Sequence, residues 1–572
     1  MEKLPVHLRK YVVEQNYEKY TPVDHAVWRF ILRQLKAFLS VHAHESYLEG
    51  LEKTGIEIEK IPSIDSISEK LKKFGWRAVP VSGFIPPAAF MELQALSVLP
   101  IASDIRSLDH LLYTPAPDIV HEAAGHAPIL AHEEFASYLR QYAQVAKRAI
   151  LSKEDLDLYE AIRTLSDLKE HPDSTQAQIK EAEDRLNRIS KNITYISEGA
   201  ELARMNWWTA EYGLIGSVDD PKIFGAGLLS SVGESRWCLS SKVKKIPLTV
   251  DCVKYTYDIT EPQPQLFVTP DFKHLGKVLE DFAKTMAYRV GGLEGISKAI
   301  KAQSVNTAEL DSGIQISGQI VEAITDSNKN IIYLRLQGPS QLSYHDQELA
   351  GHDTKYHAHG FGTPIGFLKK FPTTSPAQLT AAQWESLGDT FEFTSGVIVK
   401  GKLKNRLEKD GKTLVITLTE AKAEYNGRIL FEPSWGNFDI SLGAKVTSVF
   451  GGAADRQAYG EGADFVVAKV PQQKISEKDK QRHSIYSEIR KAREQKLQGK
   501  DLETSLQSQL AKLRADFTDD WLPYLEIYEL CLARLPNSKL IAETQTELSR
   551  ISKKYPEKAD VIKDGIALAP QS

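Results

Sequence analysis

Cysteine is scarce in this 572-residue chain: Cys238, Cys252 and Cys531 are too few and too scattered for a disulfide framework or a cysteine-built metal cluster. A reducing cytoplasm is the compartment that such usage suits. No uninterrupted apolar run approaches the length of a membrane span, and the start, "MEKLPVHLRKYVVEQNYEKY", lacks the apolar centre of a signal peptide, so no membrane association is expected. Excess positive charge is missing as well. A formal net charge of -5 leaves no basic footprint, which argues against nucleic acid as a partner. What the chain does have is length and apolar content, 42% of its residues being hydrophobic, enough for several cores.

Three changes of character divide it. Residues 1 to about 145 read as helical, as in "HAVWRFILRQLKAFLSVHAHESYLEGLEK", where Val27, Ile31, Leu35 and Phe38 recur at helical spacing. After them, 150–195 is a charged insertion that predicts a helical hairpin, with Leu158, Ile162 and Leu165 on one stripe and Ile179, Ala182, Leu186 and Ile189 on the other. Residues 293–470 alternate apolar and polar positions and predict a β-rich domain. There "SGIQISGQIVEAITDSNKNIIYLRLQG" from Ser312 matches "SGVIVKGKLKNRLEKDGKTLVITLTEA" from Ser395 at constant offset, Gly313 with Gly396, Gly318 with Gly401 and Ile331 with Leu414. Each copy reads as a hairpin of a small sandwich or barrel. Residues 471–572 are charged and helical, and their amphipathic units are expected to pack on the β domain or on another subunit.

The chemistry concentrates in "PDIVHEAAGH", Pro117 to His126. Two histidines one turn apart are a familiar way to hold a divalent ion, but the zinc-peptidase spacing H-E-x-x-H sets them at i and i+4, about 40° apart around a helix. Here they stand at i and i+5, about 140° apart on a regular α-helix, so convergence is expected only if the helix ends at Gly125 and Pro128. The pair alone is equally compatible with capping or packing. A third donor is available in "MNWWTAEYGLIG", where Glu211 sits among Trp207, Trp208 and Tyr212, a costly setting for an unpaired carboxylate and one that a metal would settle. The run "FGAGLLSSVGES" supplies small residues that let backbone approach closely, and the hydroxyls of Ser230 and Ser231. In the β-rich part, "YHDQELAGHDTKYHAHG" carries His345, His352, His357 and His359. His357 and His359 are compatible with one strand face, and a second metal site there stays open as an alternative, yet solvated loop histidines are the plainer expectation.

Four segments, "YTPAPDIVHEAAGHAPIL", "WWTAEYGL", "GAGLLSSVGES" and "YDITEPQPQLFV", resemble in order and setting the pterin-dependent aromatic amino acid hydroxylases, and among them the bacterial phenylalanine hydroxylases, here with a long C-terminal extension. The resemblance implies that 1–292 is a mainly α-helical catalytic domain of that type. It implies an Fe(2+) ion held by His121, His126 and Glu211, a set of two histidines and one carboxylate that suits non-haem iron oxygenases. It implies a reduced pterin, tetrahydrobiopterin or a related bacterial pterin, bound along Gly83, Phe84, Ile85 and Pro87, stacked on Phe90 and flanked by Glu122 and Ala203. For the amino acid substrate it implies Arg106 as the fork for the α-carboxylate, with Thr114 and Ser230 assisting and Asp118 orienting the arginine. Ser230 is also read as orienting His121. Trp207 walls the aromatic pocket against an indole, and an apolar Ile259 offers a phenol no partner, so L-phenylalanine is expected as substrate, oxidised by O2 to L-tyrosine. Tryptophan or tyrosine hydroxylation stays open as an alternative within the family, and a zinc hydrolase outside it. For the extension two roles stay open, an allosteric or homo-oligomerisation module and an independent binding module.

Overall fold

A computed structural model of the chain describes residues 4–81, 85–111, 117–170, 174–258, 261–460 and 475–569; Gly83, Phe84, Thr114 and Ile259 lie outside them. The first long element is the helix Pro22–His42. Its start is set by a reciprocal cap, in which the Asp24 N–H donates to Thr21 Oγ1 at 3.2 Å and the Thr21 N–H donates to the Asp24 carboxylate at 2.7 Å, with proline in the first turn. Buried residues run round much of its circumference, among them Val23, Val27, Trp28, Arg29, Ile31 and Leu35. A helix of that kind must be covered on more than one side.

The cover comes from both ends of the chain. Five helices, Glu477–Glu494, Gly499–Asp516, Trp521–Arg534, Leu540–Lys554 and Pro556–Leu568, pack on one another in succession, and the first, third and fifth pack on Pro22–His42. The rings of Phe30 and Trp521 meet edge to face with centroids 5.2 Å apart. Buried residues from 485–569 thus share one hydrophobic core with those of 23–286. The expectation that the C-terminal helices pack on the β-rich part or on another subunit is corrected: their apolar stripes are covered by the apolar remainder of the Pro22–His42 helix.

Helices continue to Gly292–Ala302, and strands then run from Val305 to Gly451. The two matching segments each form a long antiparallel hairpin, Ile314–Thr325 with Ile331–Tyr344 and Ile398–Lys409 with Lys412–Tyr425. Gly313 and Gly396, just before these hairpins, share φ 93°, a value that favours glycine. The hairpins lie in different sheets. The first sheet is flanked by Val305–Leu310 and Val446–Gly451, and Gly360–Pro364 pairs with the outer part of Ile331–Tyr344. In the second, Phe438–Ser441 pairs with Lys412–Tyr425. The sheets meet where the Ser441 N–H donates to Thr363 Oγ1 at 3.1 Å. Val446–Gly451 seats the first sheet on the helices Ala287–Val290 and Gly292–Ala302, and the Gly451 N–H donates to the Arg148 carbonyl at 3.1 Å.

The charged segment before these helices forms Lys153–Glu170 and Gln176–Lys191, which pack together. The Glu154 carboxylate receives the Thr194 N–H at 2.9 Å and the Thr194 hydroxyl at 2.6 Å, tying the return strand of chain to the first turn. No helix among the described residues is long and apolar enough to cross a membrane.

Candidate metal centre and its cavity

His121 and His126 do not converge at a helix end. Val120–His126 is a π-helix, and the ladder continues through it, the Ala127 N–H donating to the Glu122 carbonyl five residues back. Bonds of i→i+5 type bring residues five apart onto one face, which is the spacing of the two histidines. The expected stop at Gly125 and Pro128 is therefore corrected: helix Ala127–Ile129 follows directly, with Pro128 near its start. Gly125 serves close packing instead. A Cβ there would lie 2.6 Å from the Ala226 carbonyl oxygen. Glu211 ends a second π-helix, Trp207–Glu211, where the Tyr212 N–H donates to the Trp207 carbonyl at 2.8 Å. Behind it Gly225 lets backbone pass, since a Cβ would meet the Glu211 carbonyl oxygen at 2.4 Å.

These two distorted turns bring three donors together. His121 Nε2 lies 3.2 Å from His126 Nε2 and 3.3 Å from Glu211 Oε2, and His126 Nε2 lies 3.3 Å from Glu211 Oε1. Donors about 2.1 Å from a common ion and at right angles to one another would be separated by about 3.0 Å, so the triangle fits a single transition-metal ion bound on one face. The charges agree with that fit. Burial works against an imidazolium at His126, but Glu211 and then Glu122 hold its pKa up at about 9. Burial likewise opposes ionised Glu211, yet His126 and His121 keep it well below the ordinary carboxylate range. The carboxylates call for positive charge between the rings, which a divalent cation supplies in place of a proton.

A second layer orients the donors. Ser230 Oγ donates to the Ala226 carbonyl at 2.7 Å, so its lone pairs face His121 Nδ1 at 3.1 Å, and an Nδ1–H there leaves Nε2 free to ligate. His126 Nδ1 has no partner among the described residues. Asp118 accepts the His121 N–H at 3.0 Å and grips Arg106 through Nε at 2.8 Å and Nη2 at 2.7 Å. Burial would raise Asp118, and Arg106 overrides it, holding the carboxyl below its usual range. Arg106 Nη1 also donates to the Ser230 carbonyl at 3.3 Å. Three of the five guanidinium donors are thereby used, and the rest are left for a ligand. Asp118 and Ser230 hold Arg106 and His121 in one frame.

The cluster opens onto a cavity of about 900 Å³. Its wall includes His121, His126, Glu211, Arg106, Ser230 and Trp207, together with Pro87, Phe90, Glu122 and Ala203. Glu122 is buried, which raises its pKa, and its Oε2 has no hydrogen-bond partner among the described residues. Trp207 stacks on Tyr212 at 4.5 Å and on Tyr257 at 4.3 Å, which limits its rotation. Asp118 stands behind Arg106, off the wall. The Ile85 side chain is buried in a small core with Val79, Val81 and Leu93, against which Phe90 also packs.

Other wall residues went unread in the sequence. Tyr257 had a signal, since it opens the motif "YDITEPQPQLFV". Tyr142 had none, and neither did Gln303, Ser304, Gln319, Gly452 and Arg456, which come from the strand-rich part and close one side of the cavity. The Arg456 guanidinium donates to the Lys147 and Gly451 carbonyls at 3.1 and 3.2 Å, fastening that side to the helical part.

Comparison with known proteins bears on this site. A family model described as biopterin-dependent aromatic amino acid hydroxylase matches residues 10–155 and 181–304. The gap between the two matches falls on the charged helix pair. The phenylalanine-4-hydroxylase of Mesorhizobium japonicum is 30% identical over 285 residues, 49% of this chain and 87% of that protein. The phenylalanine-4-hydroxylase of Pseudomonas aeruginosa is 30% identical over 271 residues, 47% of this chain and 86% of that protein. A crystal structure of Chromobacterium violaceum phenylalanine hydroxylase with bound iron(III) and 7,8-dihydrobiopterin is 27% identical, covers 48% of this chain and 85% of that one, and has a TM-score of 0.39. The chain belongs to the biopterin-dependent aromatic amino acid hydroxylases, with a large further region of sheets and helices following the catalytic part.

Proposed function

We propose that this enzyme hydroxylates the ring of L-phenylalanine to give L-tyrosine, using O2, a reduced pterin and iron(II) held by His121, His126 and Glu211. The observation that carries the reading is the three-donor cluster sharing one cavity wall with an arginine fork and a fixed indole. Iron with reduced pterin, when bound, supplies the activation of O2 and the electrons that no side chain here can provide. The protein's own residues position and enclose. Arg106 takes the substrate α-carboxylate on its remaining donors, held in place by Asp118. Trp207, immobilised by Tyr212 and Tyr257, bounds the part of the cavity we assign to the phenyl ring. Phe90 and the unpartnered Glu122 carboxylate suit a flat bicycle with N–H donors, so we assign the pterin to that side. Pro87 and Ala203 line the same side. Phenylalanine is favoured by the names of relatives at about 30% identity. We also read the two hairpins, Gly313 and Gly396 at their starts, as copies of one unit, and residues 293–470 and 471–572 as the β-rich and helical parts of the extension.

Product analysis with phenylalanine, tyrosine and tryptophan side by side, under ¹⁸O2 with iron(II) and tetrahydropterin, tests the reaction. Labelled tyrosine from phenylalanine with the highest kcat/KM is the expected result. Preferred oxidation of tryptophan reassigns the substrate, and no label in any product removes the enzyme class. Arg106→Lys tests the carboxylate fork. Lysine keeps a positive charge beside buried Asp118 but not two parallel donors, and losing a charge-assisted hydrogen bond is worth about 1.5–3 kcal/mol, so kcat/KM should fall roughly ten- to hundredfold with iron content unchanged. Unchanged kcat/KM would assign the carboxylate to another group.

A further inference from the structure

A second cluster of ligand-type side chains lies in the strand-rich part, away from the cavity. His352, His357 and Asp439 are 6%, 7% and 5% exposed, and their donor atoms all fall within 4.8 Å of one another. The loop histidines are thus buried, contrary to the plainer expectation from sequence; only His345 and His359 are exposed. Nor do His357 and His359 share a strand face, because Gly351–His359 is a loop between strands. His352 Nδ1 lies 3.1 Å from His357 Nε2, the rings nearly parallel at 17°.

The chain holds these groups firmly. The Leu342 N–H donates to the His352 carbonyl at 3.0 Å and the Ser340 N–H to the His357 carbonyl at 3.1 Å, so both histidines hang on the strand Ile331–Tyr344 of the first sheet. Between them Asp353 Oδ1 receives the N–H groups of Lys355 at 3.1 Å and Tyr356 at 2.8 Å, a tight local turn. Tyr356 and Phe361 pack edge-on against His357 at 4.8 and 5.1 Å and limit its rotation. Asp439 comes from the other sheet, on Phe438–Ser441, where it pairs in register with Thr417. The Thr417 hydroxyl donates to Asp439 Oδ1 at 2.5 Å and the Tyr356 side chain also hydrogen-bonds the carboxylate, fixing it close to the two rings.

We propose that His352, His357 and Asp439 bind a divalent transition-metal ion, zinc before iron(II), which ties the loop of the first sheet to the second. Two imidazoles and a carboxylate are all common zinc ligands, three protein donors leave the fourth position to water, and a nitrogen-rich site binds zinc more tightly than iron(II). A hydrogen-bonded histidine pair needs one proton between two nitrogens and no carboxylate. Here the carboxylate is brought from a strand of a different sheet and held by Thr417 and Tyr356 beside both imidazoles, a third donor that a histidine pair does not require. The ion would link the two sheets apart from the main cavity, whose wall does not include these residues.

The test counts metal in the full-length protein after incubation with excess zinc chloride and gel filtration, in the wild type, Asp439→Asn, His357→Gln, Glu211→Ala and the double variant Asp439→Asn/Glu211→Ala. Asparagine keeps an oxygen for Thr417, so that variant should fold, with circular dichroism and hydroxylation as the check. Two equivalents in the wild type, one in each single variant and none in the double variant are expected, with zinc raising the melting temperature of Glu211→Ala but not of the double variant. One equivalent in the wild type, or an undiminished count in Asp439→Asn and His357→Gln, would overturn the second site.

Discussion

Glu211→Ala is expected to lose both the metal and the reaction. The variant removes the one carboxylate of the three-donor triangle and leaves two imidazoles 3.2 Å apart, with buried Glu122 still close to His126. A metal supplies several kcal/mol of catalysis, and each 1.36 kcal/mol is tenfold in rate, so hydroxylation should drop by about 10³-fold or more. Iron per chain should fall in parallel. The fold should persist, because the backbone of the Trp207–Glu211 turn is held by the Tyr212 N–H to Trp207 bond and by packing against Gly225, not by the carboxylate. Elemental analysis and product formation on the same sample check it. Full iron occupancy with full turnover would show that these three residues are not the metal centre.

The second large effect is on stability. Arg29 is almost fully buried on the Pro22–His42 helix, and its Nε donates to Glu526 Oε1 at 2.6 Å on the Trp521–Arg534 helix. Arg33 pairs with Glu529, which also receives Arg493 at 2.9 Å, so charges from the two ends of the chain interlock. Burial alone would raise Glu526, and Arg29 with Arg493 overrides it and holds it below its ordinary value. Arg29→Ala leaves the buried Glu526 carboxylate with only the more distant Arg493 guanidinium, 4.0 Å away, and breaking a buried pair costs about 3–5 kcal/mol. The urea midpoint should fall accordingly. The sign with pH follows from the depressed carboxylate: its contribution is fully present above the unfolded glutamate value of about 4.3 and is lost as pH falls through the lower folded value. Wild type and Arg29→Ala should therefore converge in acid and differ most near neutrality. A midpoint unchanged at pH 7 would mean that the interlock adds nothing. By the same reasoning a chain cut after residue 292 exposes Phe30 and Arg29 and should aggregate, whatever further role the extension has.

How much of this was legible depends on the range of the information. Donor types, their order, Arg106 and the aromatic residues around Trp207 are written in short stretches of chain, and so is the alternation that sets a hairpin's two strands. The hydrogen-bond register of a helix is not. The spacing of His121 and His126 fits an α-helix poorly, whereas packing against Ala226 at Gly125 accompanies a π-turn in which residues five apart share one face.

By itself, then, the sequence determined which atoms are available to bind metal, carboxylate and ring, because side-chain chemistry is local. Only the tertiary structure decided three other things. It chose the partner of the C-terminal helices, since an amphipathic stripe states that it must be covered but not by what, and the uncovered apolar arc of Pro22–His42 was the complementary surface. It brought Gln303, Gln319 and Arg456 from the strand-rich part to the catalytic cavity. It set Asp439 against His352 and His357, because strand pairing across two sheets joins residues that no local pattern relates.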